Sequence, residues 1–175
     1  MLRTLKLKIQ ITYKKAQVLD HMGYIATKLW NTANWERKDQ WNKTGLIPTY
    51  AEQAGQLKTN QWYKQLPSQT AQAVLEKLEQ GYQSWYILRK NDPKARPPGF
   101  RSKHTLSSIV FKKSAFKVQG KLIRLSLAKS LREKLAYPDH YLWLPFKSSK
   151  EVAGEPRVLE LKNINGRWVG YRTVH

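Results

Sequence analysis

Between residues 3 and 13 the chain alternates. Leu5, Leu7, Ile9 and Ile11 fall on one face and Thr4, Lys6, Lys8, Gln10 and Thr12 on the other, the pattern of a strand with one buried side. From Lys14 the period changes. Val18, Leu19, Met22, Ile25, Ala26, Leu29, Trp30 and Ala33 recur at steps of three and four, which predicts an amphipathic helix to about Asn42. A lone strand has little stability in water, so this one must pair with strands that come later. The helical segment between them is then expected to be an insertion in a β domain.

The later segments follow from the same reasoning. Gly45 and Pro48 mark a loop, and Thr49-Tyr50-Ala51-Glu52 fits a capping box that opens a second helix to about Asn60. After Leu66-Pro67-Ser68, the stripe Ala71, Val74, Leu75, Leu78, Tyr82, Trp85 and Tyr86 predicts a third helix, ended by Asn91-Asp92-Pro93. Residues 91 to 107 are rich in Pro, Lys and Arg and read as an ordered basic loop or linker. Short strands are expected at Ile109-Val110-Phe111, at Phe116-Lys117-Val118 and over Ile123, Leu125 and Leu127, with Gly120 in a tight turn between two of them. A short helix is expected from Ala128 to Ala136. Asn165-Gly166, set between apolar runs in residues 157 to 174, predicts a closing hairpin. No internal repeat occurs.

Charge points to the partner. Against 12 Asp and Glu stand 32 Lys and Arg in 175 residues, a formal net charge of +20, so a polyanion is expected, nucleic acid first. A membrane is not expected as partner, because no basic amphipathic helix, lipid anchor or spanning segment is evident. The N-terminus lacks the apolar run of a signal peptide, so a cytoplasmic location is expected. With no cysteine, disulfides and cysteine-ligated metal sites are excluded. His21, His104, His140 and His175 are scattered without ligand spacing, and no metal or cofactor is expected.

From Arg89 to Lys134 there are 14 Lys and Arg against Asp92 and Glu133, with Phe100, Phe111 and Phe116 among them. Cations hold phosphates and aromatic faces stack bases, although the phenylalanines are more economically read as core. Arg96, Phe100, Arg101, Lys103, Lys112, Lys113 and Lys117 are the contact candidates from this stretch. At the start of the third helix, free amides attract phosphate, and Ser68, Gln69, Thr70 and Gln72 can bond base edges. Ser68 reads equally well as an ordinary helix cap. Of the 7 tryptophans, five fall in the helical part. Most of these are expected in the core, with one or two at most as stacking platforms. Asp20, Glu36, Asp39, Glu52, Glu76 and Glu79 are read as solvent-facing, and none ends an apolar strand as a two-metal nuclease would require. No phosphate-cradling glycine loop or nucleophile elbow is present, so no catalytic set is expected.

In order and spacing, several segments resemble the N-terminal half of the TnpB family of transposon-encoded, RNA-guided nucleases related to type V CRISPR effectors. These are the strand Leu5 to Thr12 with Tyr13-Lys14-Lys15-Ala16-Gln17, then Leu29-Trp30-Asn31-Thr32-Ala33-Asn34, and then Leu66-Pro67-Ser68-Gln69-Thr70-Ala71-Gln72 continuing through Leu75, Leu78, Tyr82 and Trp85-Tyr86. Pro98-Gly99-Phe100-Arg101, Leu159-Glu160-Leu161 and Gly166-Arg167-Trp168 complete the match. The resemblance implies an α+β fold in which a β-barrel, an oligonucleotide-binding-like wedge domain, carries an inserted three-helix recognition domain. Residues 1–13 would supply the first barrel strand, 14–92 the insertion and 93–175 the rest of the barrel.

The partners it implies are a guide RNA and a target DNA duplex beside which a short motif is read. It places Tyr50, Ser68 and Gln72 at that duplex and Lys112 in the same groove, while Lys112 and Ala54 depart from the family's pattern. The family's catalytic carboxylates belong to a RuvC-like domain with a four-cysteine zinc site, and the sequence reaches His175 without one. The expectation is therefore a chain that binds without cutting by itself, with a separate RuvC-like nuclease chain as a candidate partner. Two other readings compete: a general basic RNA- or DNA-binding protein, ribosome- or nucleoid-associated, and a small nuclease with a hidden carboxylate site.

Overall fold

The computed structural model describes residues 2–148 and 154–175. It is a mixed helical and β structure whose antiparallel sheet curls into a half-barrel. Strand β1 (Arg3–Ile9) leads into helix α1 (Tyr13–Thr44), followed by α2 (Tyr50–Gln56), a 3-10 turn at Leu57–Thr59, α3 (Gln61–Lys64) and α4 (Ser68–Leu88). The remainder is β2 (Ile109–Lys112), a 3-10 turn at Lys113–Ala115, β3 (Phe116–Gln119), β4 (Leu122–Ser126), α5 (Lys129–Leu135), β5 (Tyr141–Lys147), β6 (Pro156–Ile164) and β7 (Arg167–Val174). No helix among the described residues is long and apolar enough to cross a membrane.

The sheet order is β2-β6-β7-β1-β5-β4-β3. Strand β1 finds its partners at the far end of the chain, pairing with β7 from Arg3↔Val174 to Lys8↔Val169 and with β5 at Lys8↔Lys147 and Ile9↔Phe146. The closing hairpin forms at the expected dipeptide, where Asn165 and Gly166 both take positive φ, 53° and 83°, as a tight two-residue turn requires. One continuous apolar cluster joins Leu7, Phe111, Leu159, Leu161 and Trp168 of the sheet to Leu19, Met22, Ile25, Leu29, Leu75 and Leu78 of the helices.

Helix α1 opens on Thr12, whose hydroxyl accepts from the Lys15 amide, and stops where Gly45 turns left-handed. The capping box of α2 is complete, with Thr49 and Glu52 each accepting from the other's backbone amide. Three expectations need correction. The second helix breaks at Gln56, and a 3-10 turn and the four-residue α3 follow it. Pro67, not Ser68, is the cap residue of α4, so Ser68 is its first helical residue with an exposed side chain. Strand β5 was not anticipated, because Pro145 interrupts its pattern and proline argues against an interior strand. The ladder survives there because the Pro145 carbonyl accepts from the Gln10 amide at 2.8 Å.

The helices are tied together around Arg37, which is only 1% exposed. Its Nε donates to Gln53 Oε1 at 2.7 Å, its Nη2 to Glu79 Oε2 at 2.5 Å, and its guanidinium lies 4.8 Å from the Tyr82 ring centre. The Tyr82 hydroxyl donates to Asn34 Oδ1 at 2.6 Å, and Asn34 Nδ2 donates to the Pro98 carbonyl at 2.9 Å. From there residues 98–107 strap across α1. Trp30 Nε1 reaches the Gly99 carbonyl, Asn31 exchanges two bonds with the Arg101 backbone, and Thr27 reaches the Thr105 carbonyl. The basic stretch is thus ordered, as expected.

Three of the helical carboxylates depart from the expected solvent-facing placement, whereas Glu52 is exposed as expected. Asp20 accepts from the Trp168 indole at 2.8 Å, Glu79 is the counter-ion of Arg37, and Glu36 is half-buried. Desolvation holds the Glu36 carboxyl above its usual range, partly opposed by a hydrogen bond from Gln53. Trp30 and Trp85 are core and Trp62 half-buried, whereas Trp35 and Trp41 are exposed.

Replacing Arg37 with alanine strips Glu79 and Gln53 of their donor and opens a cavity. The expected loss is about 3–5 kcal/mol of unfolding free energy, measured by urea denaturation. Burial pushes the Tyr82 phenol up to about 12, partly opposed by Arg37. Between its ordinary value of 10.0 and that raised value the unfolded chain binds fewer protons, so stability falls as pH rises through this window. Tyr82→Phe should flatten that alkaline slope while costing about 1–3 kcal/mol at neutral pH, because Asn34 Oδ1 loses its donor.

Candidate nucleic-acid interface

The first turns of α4 face the end of β2 across an open groove of about 760 Å³. Gln69, Gln72 and Glu76 line one wall, and Lys112, Lys113, Ser114, Arg157 and Val158 the other. The spacing is that of a helix, since residues 69, 72 and 76 share one face. The opposite wall is set by the β2–β6 pairing, which puts Lys112 directly across from Val158. Tyr50, from the first turn of α2, stands near enough to Glu76 for the carboxylate to act on its phenol.

Within the groove the polar groups hold one another. Ser114 Oγ donates to Gln69 Oε1 at 2.8 Å, and Gln72 Nε2 donates to the Tyr63 hydroxyl at 3.4 Å. Lys112 Nζ lies 3.7 Å from Glu76 Oε2, Lys113 pairs with Glu155, and Arg157 Nη2 lies 3.6 Å from the same Glu155 carboxylate. Three cations thus share two carboxylates. Burial, with the neighbouring Glu76 carboxylate, raises the Tyr50 phenol above its ordinary range.

Such a set can read base edges. An amide bonds adenine in two places, a lysine reaches guanine O6 and N7, and a carboxylate accepts from the cytosine amine. Among the described residues no three His, Asp or Glu side chains gather where a metal ion could be held.

No family model matches the chain, and no curated protein matches it.

Of the residues singled out in the sequence, Tyr50, Gln69, Gln72, Lys112 and Lys113 come together here. Ser68 is exposed beside them at the head of α4. The rest lie apart. Phe100, Arg101 and Lys103 belong to the strap, Arg96 is exposed just before it, and Lys117 is exposed on β3. Phe100 is exposed with Lys38 Nζ 5.6 Å from its ring centre, whereas Phe111 and Phe116 are core. The Arg101 guanidinium is engaged within the fold: it stacks 3.8 Å from the Trp30 ring centre, donates to Ser107 Oγ at 2.9 Å, and is pulled below its ordinary value by burial.

Sequence reasoning missed Ser114 and Arg157, and it read Glu76 as a solvated charge. Glu76 could have been found by counting four residues on from Gln72 along the same helical face. Nothing local marks Arg157, which enters only through strand pairing. Neutralising the carboxylate with Glu76→Gln should lower the Tyr50 phenol toward, but not to, its ordinary value, since burial remains. A tyrosine-resolved alkaline NMR titration measures this, and an unmoved Tyr50 would show that the contact contributes nothing.

Proposed function

We propose that the chain is the nucleic-acid-binding half of a TnpB-like RNA-guided DNA endonuclease. Its half-barrel acts as an oligonucleotide-binding-like wedge and its helices α1–α4 as the inserted recognition unit. It holds a guide RNA and reads a short motif beside the target in duplex DNA, and it does not cut by itself. The observation that carries this reading is the groove, where base-reading amides on α4 stand opposite Lys112 and Lys113 in a chain of net charge +20. Of these residues, the family resemblance implies Gln72 and Lys112 at the duplex from sequence order alone. A second reading, a general basic RNA- or DNA-binding protein, is favoured by the exposed Arg96, Lys103 and Lys117 outside the groove and by the carboxylate partners of the cations within it.

The two readings separate on purification from the host at moderate salt. A discrete structured RNA is expected with the chain, whereas heterogeneous nucleic acid lost as salt rises supports the general binder. In a complex reconstituted with that RNA, Gln72→Ala should relax selection at one position of the DNA motif by about 1–3 kcal/mol. Lys117→Ala should instead weaken binding evenly across sequences and reduce the salt slope by about one unit. Unchanged motif selection in the Gln72 variant would remove this residue from the reading surface.

A further inference from the structure

Arg172 is 5% exposed, and its Nε is buried without a hydrogen-bond partner. It shares one face of β7 with the buried Trp168, Gly170 and Val174. Its cross-strand neighbours are Leu5 of β1 and Leu159 of β6, two apolar side chains. No carboxylate, carbonyl or aromatic ring among the described residues holds its guanidinium. Arg37, the other buried arginine, and the half-buried Arg101 are each hydrogen-bonded and stacked on a ring, whereas the half-buried Arg132 also has an Nε without a partner. A buried ion left alone costs several kcal/mol, and arginine does not escape that cost by losing its proton.

The position of Arg172 suggests what completes it. The register aligns the end of β2 with the starts of β6 and β1 and the end of β7, through Lys112↔Val158, Val158↔Thr173 and Thr4↔Thr173. Arg3, paired with Val174, therefore shares the sheet face of Arg172 on the neighbouring strand, while Lys112, in line with Thr173, stands at the same end of the sheet on the opposite face. Lys112 and Arg157 line the groove, so the groove opens at this same end of the sheet. Cations gathered at one end of the sheet, on both of its faces, match a polyanion that passes around that end better than they match a single carboxylate.

We propose that Arg172 is a buried anion socket that receives a phosphate group of the nucleic-acid strand leaving the groove, with Arg157 and Arg3 flanking it. This rests on the nucleic-acid reading above, and the planar fork of the guanidinium suits two phosphate oxygens at once.

The test compares the full chain with its Arg172→Met and Arg172→Lys variants. Without ligand, Arg172→Met should be at least as resistant to urea as the wild type, because an unpaired ion gives way to an apolar side chain of similar length. Its affinity for a single-stranded RNA oligonucleotide should fall about tenfold or more, with the salt slope shallower by roughly 0.7. Arg172→Lys should keep the slope and lose part of the affinity.

Inorganic phosphate should raise the wild-type melting temperature more than that of Arg172→Met. A methionine variant that loses stability but binds with unchanged affinity and slope overturns the socket and leaves the nucleic-acid reading standing. A wild type that binds no RNA, yet gains more from phosphate than Arg172→Met does, keeps the phosphate socket and removes that reading. Stabilisation of the wild type by acetate and not by phosphate overturns the proposal in favour of a carboxylate ligand.

Discussion

A cation that cannot be left unpaired organises the helical half. Arg37 lies inside the helices, and once there it dictates where its partners stand: Gln53 fixes α2, and Glu79 and the Tyr82 ring fix α4. Buried ion pairs add little net stability compared with apolar packing, but they penalise every arrangement that breaks them. That penalty orients α4, and the orientation of α4 aims Gln69 and Gln72 at the end of β2. Through Tyr82 and Asn34 the same network reaches the Pro98 carbonyl and pins the strap. A polar knot about the volume of a few side chains thus sets the register of the helices and the direction from which the chain returns to the sheet.

The groove depends on this knot and on sheet pairing together. One wall is a helix face, continuous in sequence. The other combines β2, the turn after it and the start of β6, segments some forty residues apart that meet only through the β2–β6 ladder. Lys77, one residue beyond Glu76, spans the junction by reaching Glu160 at 3.4 Å and Ser108 Oγ at 3.2 Å. Exposed pairs of this kind contribute little energy. The main hold is apolar, where Leu75 and Leu78 of α4 enter the same cluster as Phe111 and Leu159.

Most of this organisation can be read along the chain where the signal is local. The change from a two-residue to a three-to-four-residue period locates β1 and α1, Thr49 and Glu52 announce α2, and Asn165-Gly166 marks the last hairpin. Pro145 hides β5, because the rule against proline in a strand interior ignores what its carbonyl can still accept. The break after Gln56 is equally hidden, since Leu57 and Tyr63 keep a helical apolar rhythm across a non-helical backbone. The site was half legible. Tyr50, Gln69, Gln72, Lys112 and Lys113 stand in recognisable contexts, whereas Arg157 and Arg172 become chemically distinct only after strands distant in sequence are laid side by side. Ser68 shows a subtler limit: serine before an apolar run suggests a cap, but the preceding proline takes that place and leaves the hydroxyl exposed.

The pairing of β1 with β5 and β7 also bears on how the protein is made. At ribosomal rates of about 5–20 residues per second, β1 waits roughly ten to thirty seconds before β7 has been synthesised. Helices α1 to α4 can meanwhile assemble around Arg37, since Gln53, Glu79 and Tyr82, which hold it, all precede Arg89. During the delay β1 is an unpaired edge strand beside the nascent chain, open to pairing with the wrong neighbour. Lys6 and Lys8 on its outward face, with Arg3 at its head, are well suited to guard it, because like charges keep two such strands from lying together. Lys6, Lys8 and Arg3 would then serve first as gatekeepers of a strand awaiting its partners.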